Sequence, residues 1–374
     1  MRTTKLHKYR DIAFSDNEKV ILGIINRIQT PISRPEIAEL SGLTFQSVSR
    51  IIKSLVDMNV LTETGVVKSG RGQPKVNYII NAKFAFSVGV MVGHGFVSAT
   101  LLDATGVVQR SLTSSDDSLT PKETIALCQK CLSELLKAAS LDWKDIIGVG
   151  ISLPARIKDK KGRYLFPNHL EAWGHLDIQT EFQAVVPVPV FVGNDVVSAA
   201  IGERFCGAGK KGQDFYYLFL GQGLGSVAIE NGQPKLGSHS HAGEITLLVD
   251  KDSRPTTQEL QSLLRQQGIL WNGYDDLEDK IINSQCVEDW CERAAETLSR
   301  LIEMIIAIID PPRIVIGGGL NRRLVDSIVN KIELNRQTKK QEVVFDVPIQ
   351  PSESEIESPS FGAAYLPLVE TMFK

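Results

Sequence analysis

One arrangement of strands, glycine-rich turns and helices occurs twice in this chain of 374 residues, and it limits the possible folds more than any other feature. The stretch FSVGVMVGHGFVSATLLDATGVVQRSLT has the pattern of three strands joined by turns, and a helix over 121–139 and the strand IIGVGISL follow it. About 130 residues later, DFYYLFLGQGLGSVAIENGQPKLG repeats the pattern and leads to a helix over 284–309 and the strand RIVIGGGL. This internal duplication predicts two similar α/β lobes with a cleft between them.

Glycine turns occur at corresponding places in the two copies, at 93–95, 221–225 and 317–319. Glycine lets backbone N–H groups approach a phosphate, because no side chain stands in the way. Each turn alone also fits a plain change of chain direction. The three turns together indicate phosphate binding more strongly than any one of them.

A helix-turn-helix pattern precedes the duplicated region. Apolar spacing predicts a helix over 18–28, and Ser33, Pro35 and Glu36 mark the start of a second helix with a cap, a first-turn proline and a capping glutamate. A glycine turn and a new cap at Thr44 introduce the third helix, FQSVSRIIKSLVDMNV. Its exposed face offers groups that reach phosphates and base edges in a major groove. The predicted DNA contacts there are Thr44, Phe45, Gln46, Ser47, Ser49, Arg50 and Lys53.

The segment LTETGVVKSGRGQPKVNYIIN after this helix has the pattern of a wing, with two strands and a basic tip. We predict that Arg71 and Gln73 at the tip contact DNA, with Arg71 in the minor groove. Residues 1–83 hold 13 of the 41 bases and 7 of the 44 acids, so their net charge is +6, whereas the remaining 28 bases and 37 acids give −9. This asymmetry favours nucleic-acid binding by the N-terminal part alone. The alternative is a helical protein-interaction module with a solvated basic loop.

A polar pair follows the strand VFVGN at the point where a helix begins. Asp195 at a helix start fits a simple cap, and it also fits a carboxylate that binds a sugar hydroxyl or removes its proton. Its neighbour Asn194 and a second acid, Glu244 in SHSHAGEITLL, favour a polyol site.

These stretches together resemble the ROK family of repressors and sugar kinases, which has the actin/hexokinase-like fold. The likeness covers nearly the whole chain, and its matching segments are GVGISLPARI, FPNHLEAW, VGNDVVSAAIGE, LFLGQGLGSVAIENG, HAGEI and IVIGGGL. The resemblance implies an α/β protein, with a two-lobed ROK body preceded by a winged helix-turn-helix. We expect the winged helix at 1–83, the first lobe at 84–193 with a C-terminal helix near 359–374, and the second lobe at 194–358.

The departures from the family pattern concern catalysis and metal binding. Kinases of the family carry an Asp-x-Gly-Gly-Thr loop, where this chain has Met91-Val92-Gly93-His94-Gly95, and a threonine is usual at Gln222. A thioether cannot organise the water shell of Mg²⁺, so we expect no catalytic residues and no cofactor. Leu247 stands where a histidine of the family's zinc site would be, and the stretch LLVDKDSRPTTQELQSLL contains no cysteine, so we predict no metal.

The resemblance also implies the effector residues, which are Asn168, Asn194, Asp195, Glu244 and Glu259. The leading hypothesis is therefore a transcriptional repressor that binds operator DNA and a sugar-like effector as a homodimer or homotetramer. One alternative is a ROK-type sugar kinase with an attached DNA-binding domain, and another is a regulator that docks a transporter protein. The sequence contains no apparent signal peptide or membrane span, so we expect a cytoplasmic protein without a membrane partner.

Overall fold

The computed structural model describes residues 13–67, 75–93, 96–115, 120–157, 164–209, 214–271, 277–334, 346–353 and 358–373. The chain forms two compact units: unit 1 comprises residues 1–156, 163–194 and 360–374, and unit 2 comprises 157–162 and 195–359. Unit 1 thus groups the N-terminal helices with the first sheet, and the domain limits at 83, 193 and 358 stay predictions. Within the described ranges, no helix is long and apolar enough to cross a membrane.

The N-terminal part of unit 1 contains three helices and a small sheet. Its elements in chain order are α1 (Asp16–Ile28), β1 (Ile32–Ser33), α2 (Arg34–Ser41), α3 (Phe45–Asp57), β2 (Leu61–Val67) and β3 (Lys75–Ile80). The sheet has the order β1-β3-β2, with antiparallel pairs throughout. The helix-turn-helix and the two wing strands are therefore present as the sequence predicts.

Local capping explains where α2 and α3 begin and end. Ser33 and Glu36 form a reciprocal capping box, and the backbone N–H of Ser33 donates to the Glu36 carboxylate at 2.9 Å. Gly42 ends α2 with a φ of 69°, in the left-handed region that glycine adopts without steric cost. The Thr44 hydroxyl then caps α3 by accepting a hydrogen bond from the Ser47 N–H.

The remainder of unit 1 is built on a five-stranded mixed sheet. Its elements in chain order are β4 (Phe86–Val92), β5 (Phe96–Asp103), β6 (Val108–Ser115), α4 (Pro121–Ala139), β7 (Ile146–Leu153), β8 (Arg156–Ile157), β9 (Tyr164–Leu165), α5 (Ile178–Val185) and β10 (Val190–Asn194), with 3-10 helices at Trp143–Asp145 and Asn168–His175. The strand order is β10-β7-β4-β5-β6, and β8 pairs with β9. Cys128 and Cys131 of α4 are fully buried in the core, and burial raises the pKa of both thiols.

Unit 2 contains the second five-stranded sheet. Its elements in chain order are α6 (Asp195–Cys206), β11 (Phe215–Leu220), β12 (Leu224–Glu230), β13 (Gln233–Lys235), α7 (Thr257–Gln266), α8 (Asp279–Ile282), α9 (Gln285–Ile309), β14 (Ile314–Gly318), α10 (Arg322–Lys331) and β15 (Ile349–Pro351), with 3-10 helices at Ile245–Leu248 and Lys251–Ser253. The strand order is β13-β12-β11-β14-β15. The chain ends with α11 (Ser358–Leu368) and a π-helical turn at Val369–Phe373.

The two sheets have the same topology. In each, the first strand lies at the centre, with two antiparallel strands on one side and two parallel strands on the other. In the first sheet the central strand is β4, and in the second it is β11. The duplication that the sequence predicts is therefore confirmed.

Helix α11 packs on the first sheet with its backbone almost in contact with the strands. A Cβ atom added to Gly150 of β7 would lie 1.9 Å from the carbonyl oxygen of Ala363, and one added to Gly89 of β4 would lie 1.9 Å from that of Ser360. The Ser87 hydroxyl also donates to the Ala364 carbonyl at 2.6 Å. Only glycine at positions 89 and 150 permits this approach.

The chain beyond α11 reaches the N-terminal helices. The Lys19 ammonium group of α1 donates to the Glu370 carbonyl at 3.0 Å. A Cβ atom added to Gly23 of α1 would lie 3.1 Å from the Phe373 carbonyl oxygen. Helix α1 is thus held by the last turn of the same chain segment that packs on β4 and β7.

We predict that Gly150→Ala destabilises the protein by about 3 kcal/mol, near the upper end for an overpacked core. The added methyl group forces α11 away from β7, because the atom it meets is backbone. Gly174→Ala is the matched control, since an added Cβ there meets no atom within 4 Å. Urea unfolding of both variants measures the effect, and equal stabilities would contradict this account of the α11 contact.

Candidate functional site

The exposed face of α3 carries the side chains that the sequence singles out for DNA. Of the seven residues, Ser47 and Ser49 are half-buried, and the exposed ones are Thr44, Phe45, Gln46, Arg50 and Lys53. The opposite face is buried through Val48, Ile51, Ile52 and Leu55. The helix therefore has one side fixed in the module core and one side open to a partner.

The chemistry of this open face suits an anionic partner. No acidic residue occurs in α3 before Asp57, its last residue, whereas Arg50 and Lys53 are both exposed. The Thr44 hydroxyl donates to the Ser47 hydroxyl at 2.9 Å, so these two groups also serve the helix cap. Residues near the start of a recognition helix are the ones that reach base edges in helix-turn-helix complexes.

A polar cluster that the sequence analysis missed holds the wing strands to α2. Tyr78 of β3 is only 1% exposed, and its side chain is hydrogen-bonded with Glu63 of β2 and Arg34 of α2. The Arg34 guanidinium also lies 5.2 Å from the centre of the Tyr78 ring. Burial raises the pKa of Tyr78, so the phenol stays neutral and can donate. The predicted tip contacts Arg71 and Gln73 lie outside the described residues.

Two of the predicted effector residues are chain neighbours at the junction of a strand and a helix. Asn194 ends β10 in unit 1, is half-buried, and donates from its Nδ2 to the Ala155 carbonyl at 2.7 Å. Asp195 begins α6 in unit 2, and its Oδ1 accepts from the Val196 N–H at 2.9 Å. The amide of Asn194 is thereby oriented by the backbone, and the Asp195 carboxylate lies at a helix N-terminus, where the helix dipole attracts negative charge.

Strand β12 anchors the segments that carry Asp195 and Glu244. Val196 packs against Gly225, where an added Cβ would lie 2.6 Å from the valine Cγ2. The next residue, Ser226, donates from its hydroxyl to the Gly243 carbonyl at 2.9 Å and shares a 2.7 Å hydrogen bond with the Tyr216 hydroxyl. Gly243 immediately precedes Glu244, so consecutive residues of β12 fix the backbone beside both acids.

The two remaining predicted effector residues are Glu259 and Asn168, and the structure describes the side chain of Glu259 only. Glu259 lies in α7, and its carboxylate accepts from the Trp290 indole N–H at 2.6 Å and from Arg293 at 3.5 Å. The Glu259 carboxylate therefore joins α7 to α9. Asn168 begins a 3-10 helix, and its side chain lies outside what the structure describes.

An aromatic ring packs against Gly93, the first residue of the first glycine turn. Met91 is 9% exposed within β4, and Gly93 follows that strand. A Cβ atom at Gly93 would lie 2.1 Å from the Phe96 ring, and the Gly93 N–H donates to the Phe96 carbonyl at 2.9 Å. This N–H is therefore used within the protein, and the ring borders the turn where a phosphate loop needs open backbone.

The second glycine turn lies beside the third in unit 2. A Cβ atom at Gly221 would lie 3.5 Å from the Gly319 nitrogen. The Gly221 N–H donates to the Gly223 carbonyl at 3.0 Å, and the Gly221 carbonyl accepts from the Thr257 N–H at 2.8 Å. The side-chain amide nitrogen of Gln222 is buried and has no hydrogen-bond partner among the described residues.

A protein-family comparison identifies part of this architecture. The model of the ROK family matches residues 87–252, from β4 to the 3-10 helix beside α7. This chain contains a ROK family domain. The duplicated sheet topology described above belongs in large part to that domain.

Relatives of known sequence extend the similarity. The chain is 27% identical to the uncharacterized protein y4fQ of Sinorhizobium fredii over 323 residues, which is 84% of this chain and 82% of that protein. It is 29% identical to the xylose repressor of Bacillus subtilis over 234 residues, which is 61% of this chain. The alignment spans only 59% of the xylose repressor's own length.

Two solved structures share the fold. One is a ROK family transcriptional regulator, a homolog of the E. coli MLC protein, with a TM-score of 0.69, 19% identity, and coverage of 96% of this chain and 98% of that chain. The other is a ROK family glucokinase from Streptomyces griseus, with a TM-score of 0.62 and 19% identity, over 75% of this chain and 99% of that chain. The fold is thus the two-lobed α/β ROK fold, and the regulator matches the N-terminal module as well.

The loop after Glu244 is held by an arginine, Arg254. Arg254 donates to the Thr246 carbonyl at 2.7 Å and to the Val249 carbonyl at 3.2 Å. His239 and His241 are exposed. Within the described part of the chain, no three His, Cys, Asp or Glu side chains lie close enough together to hold a metal ion.

Proposed function

We propose that this protein is a DNA-binding transcriptional repressor whose ROK domain binds a sugar or sugar derivative as effector, without kinase activity. The observation that carries the proposal is the helix α3. It presents exposed Gln46, Arg50 and Lys53 in a module that precedes a ROK family domain matched over residues 87–252. The alignment with a protein named xylose repressor supports the same conclusion.

Operator DNA is the proposed partner of the N-terminal module, through α3 and the wing residues Arg71 and Gln73. A single winged helix reads one half-site, so we also propose that the protein binds as at least a homodimer. The +6 charge of residues 1–83 supports the attraction to phosphates.

The proposed effector site uses Asn194, Asp195 and Glu244, with Asn168 as a further contact. Amide and carboxylate groups on ordered backbone are suited to bind several hydroxyl groups of one ligand. The hydrogen bond from Asn194 to Ala155 orients the Asn194 amide, and the bond from Ser226 to Gly243 fixes the backbone just before Glu244. Glu259 is a weaker candidate, because its carboxylate bonds to Trp290 and Arg293.

The loss of kinase activity is proposed from the first glycine turn. Phosphoryl transfer needs a metal, a phosphate loop and a base together. Here Met91 supplies no metal ligand. The Phe96 ring packs against Gly93, and the Gly93 N–H donates to the Phe96 carbonyl. The shared fold with the S. griseus glucokinase keeps a sugar kinase with an attached DNA-binding module as the second candidate.

The coupling between effector and DNA is proposed to run through unit 1. Asn194 lies at the end of β10, which pairs with β7, and β7 and β4 carry the glycines on which α11 packs. The turn after α11 contacts α1 through Glu370 and Phe373. A shift of the sheet at β10 therefore has a short path of packed backbone to the DNA-binding module.

We expect Arg50→Ala and Lys53→Ala each to weaken DNA binding about tenfold and to lower the slope of log affinity against log salt by about 1, if the lost contact is to phosphate. The probe is a duplex selected from a randomised library by the wild-type protein. Lys144→Ala is the control, because Lys144 is exposed and pairs with Asp142 far from α3 in the sequence. The same titrations measure how many protein chains bind each duplex, which tests the proposed dimer. Unchanged affinity in both variants would show that α3 does not contact DNA.

We expect Asp195→Asn to cost about 1–3 kcal/mol of effector affinity, because a hydroxyl-binding site left with an unmatched group loses binding sharply. Thermal stabilisation by a panel of sugars and sugar phosphates first identifies a ligand, and calorimetry then measures it. DNA affinity without ligand should stay unchanged. Asp289→Asn, at an exposed position on α9, is the control. Full effector affinity and regulation in Asp195→Asn would show that the pocket lies elsewhere.

A direct assay separates the two candidate functions. With ATP, Mg²⁺ and the same sugar panel, we expect no ADP release above background. Turnover near the ordinary enzyme value of about 10 per second would establish the kinase instead.

A further inference from the structure

An aromatic side chain lies exposed at the first residue of the recognition helix. Phe45 is 54% exposed, directly after the cap Thr44. The core of the module is formed by other residues of α3, which are Val48, Ile51, Ile52 and Leu55. A large apolar ring in water is unfavourable, so this position gains free energy when a partner covers it.

The neighbours of Phe45 indicate which partner surface it meets. Phe45, Ser49 and Lys53 follow one another at four-residue spacing, so they form one row along α3. Gln46 and Arg50 form the adjacent row and are both exposed. The ring thus belongs to the surface that is proposed to enter the major groove, at the helix end that approaches base edges.

The major groove offers one apolar group to such a ring. Base edges present acceptors and donors there, and only the C5-methyl group of thymine is apolar. We propose that Phe45 is a specificity-determining residue that reads a thymine in each half-site through contact with this methyl group. The proposal rests on the proposed DNA-binding function and adds a base identity to it.

The test removes the thymine methyl group and the Phe45 ring, first separately and then together. The full-length protein first selects duplexes from a randomised library. Each thymine of the selected sequence is then replaced in turn by deoxyuridine, which removes only the methyl group. We expect wild type to lose about fourfold in affinity at one thymine per half-site, the value for one buried methyl group. Phe45→Ala should bind more weakly and show no loss at that position.

Two further variants test whether the effect is specific to an apolar side chain at position 45. Phe45→Leu retains an apolar side chain and should keep part of the methyl dependence. Met58→Ala removes another exposed apolar residue, 40% exposed at the opposite end of α3, and should show the full wild-type dependence. Because Phe45 and Met58 are exposed, thermal melts of these variants should match the wild type.

The outcomes separate a failure of the thymine contact from a failure of the proposed DNA-binding function. If the wild type selects no sequence, the repressor proposal fails, and this one with it. If it selects a sequence but methyl dependence is absent, or is equal in wild type and Phe45→Ala, repression stands and the thymine contact is overturned. If Phe45→Ala instead changes only the oligomeric state in light scattering, the ring is a contact between proteins and the proposal is overturned.

Discussion

The contact of α11 with strands β4 and β7 is the constraint on which the rest of unit 1 depends. Strand side chains ordinarily hold a packed helix away from a sheet, but Gly89 and Gly150 let the backbone of α11 come into contact with the strands. This approach directs the last turn of the chain, which includes Glu370 and Phe373, onto α1. Helix α1 and the C-terminal turn therefore meet, and the N-terminal module is held against the first sheet through α11.

Elements defined by short-range signals could be predicted from the sequence. The capping box of Ser33 and Glu36 and the cap at Thr44 depend on groups three residues apart, so their consequences are local. The helices over 121–139 and 284–309 begin after Thr120 and Ser284, within one residue of the predicted starts. The repeated pattern of strands and glycine turns predicted the two sheets, because each copy is one continuous stretch of sequence.

Contacts between distant parts of the chain could not be predicted in this way. Tyr78 joins Arg34 and Glu63 only because three strands and a helix converge there. Arg254 holds the loop after Glu244 through carbonyl groups, which carry no signature in a sequence. Glu259 matched the family pattern by position, yet its bond to Trp290 depends on how α7 packs on α9. The candidate site was therefore predictable in residue type and less so in the role of each residue.

The brace between sheet and module limits how an effector can act. A ligand shifts a conformational equilibrium only by the difference between its affinities for the two states. A ligand on Asn194 can therefore alter DNA binding only if the sheet positions that hold it differ between the DNA-bound and free states. Because α11 meets β4 and β7 backbone to backbone, and the turn after it contacts α1 through Glu370 and Phe373, the proposed coupling runs from β7 through α11 to α1. Linkage is reciprocal, so operator DNA must change effector affinity by the same factor by which effector changes operator affinity.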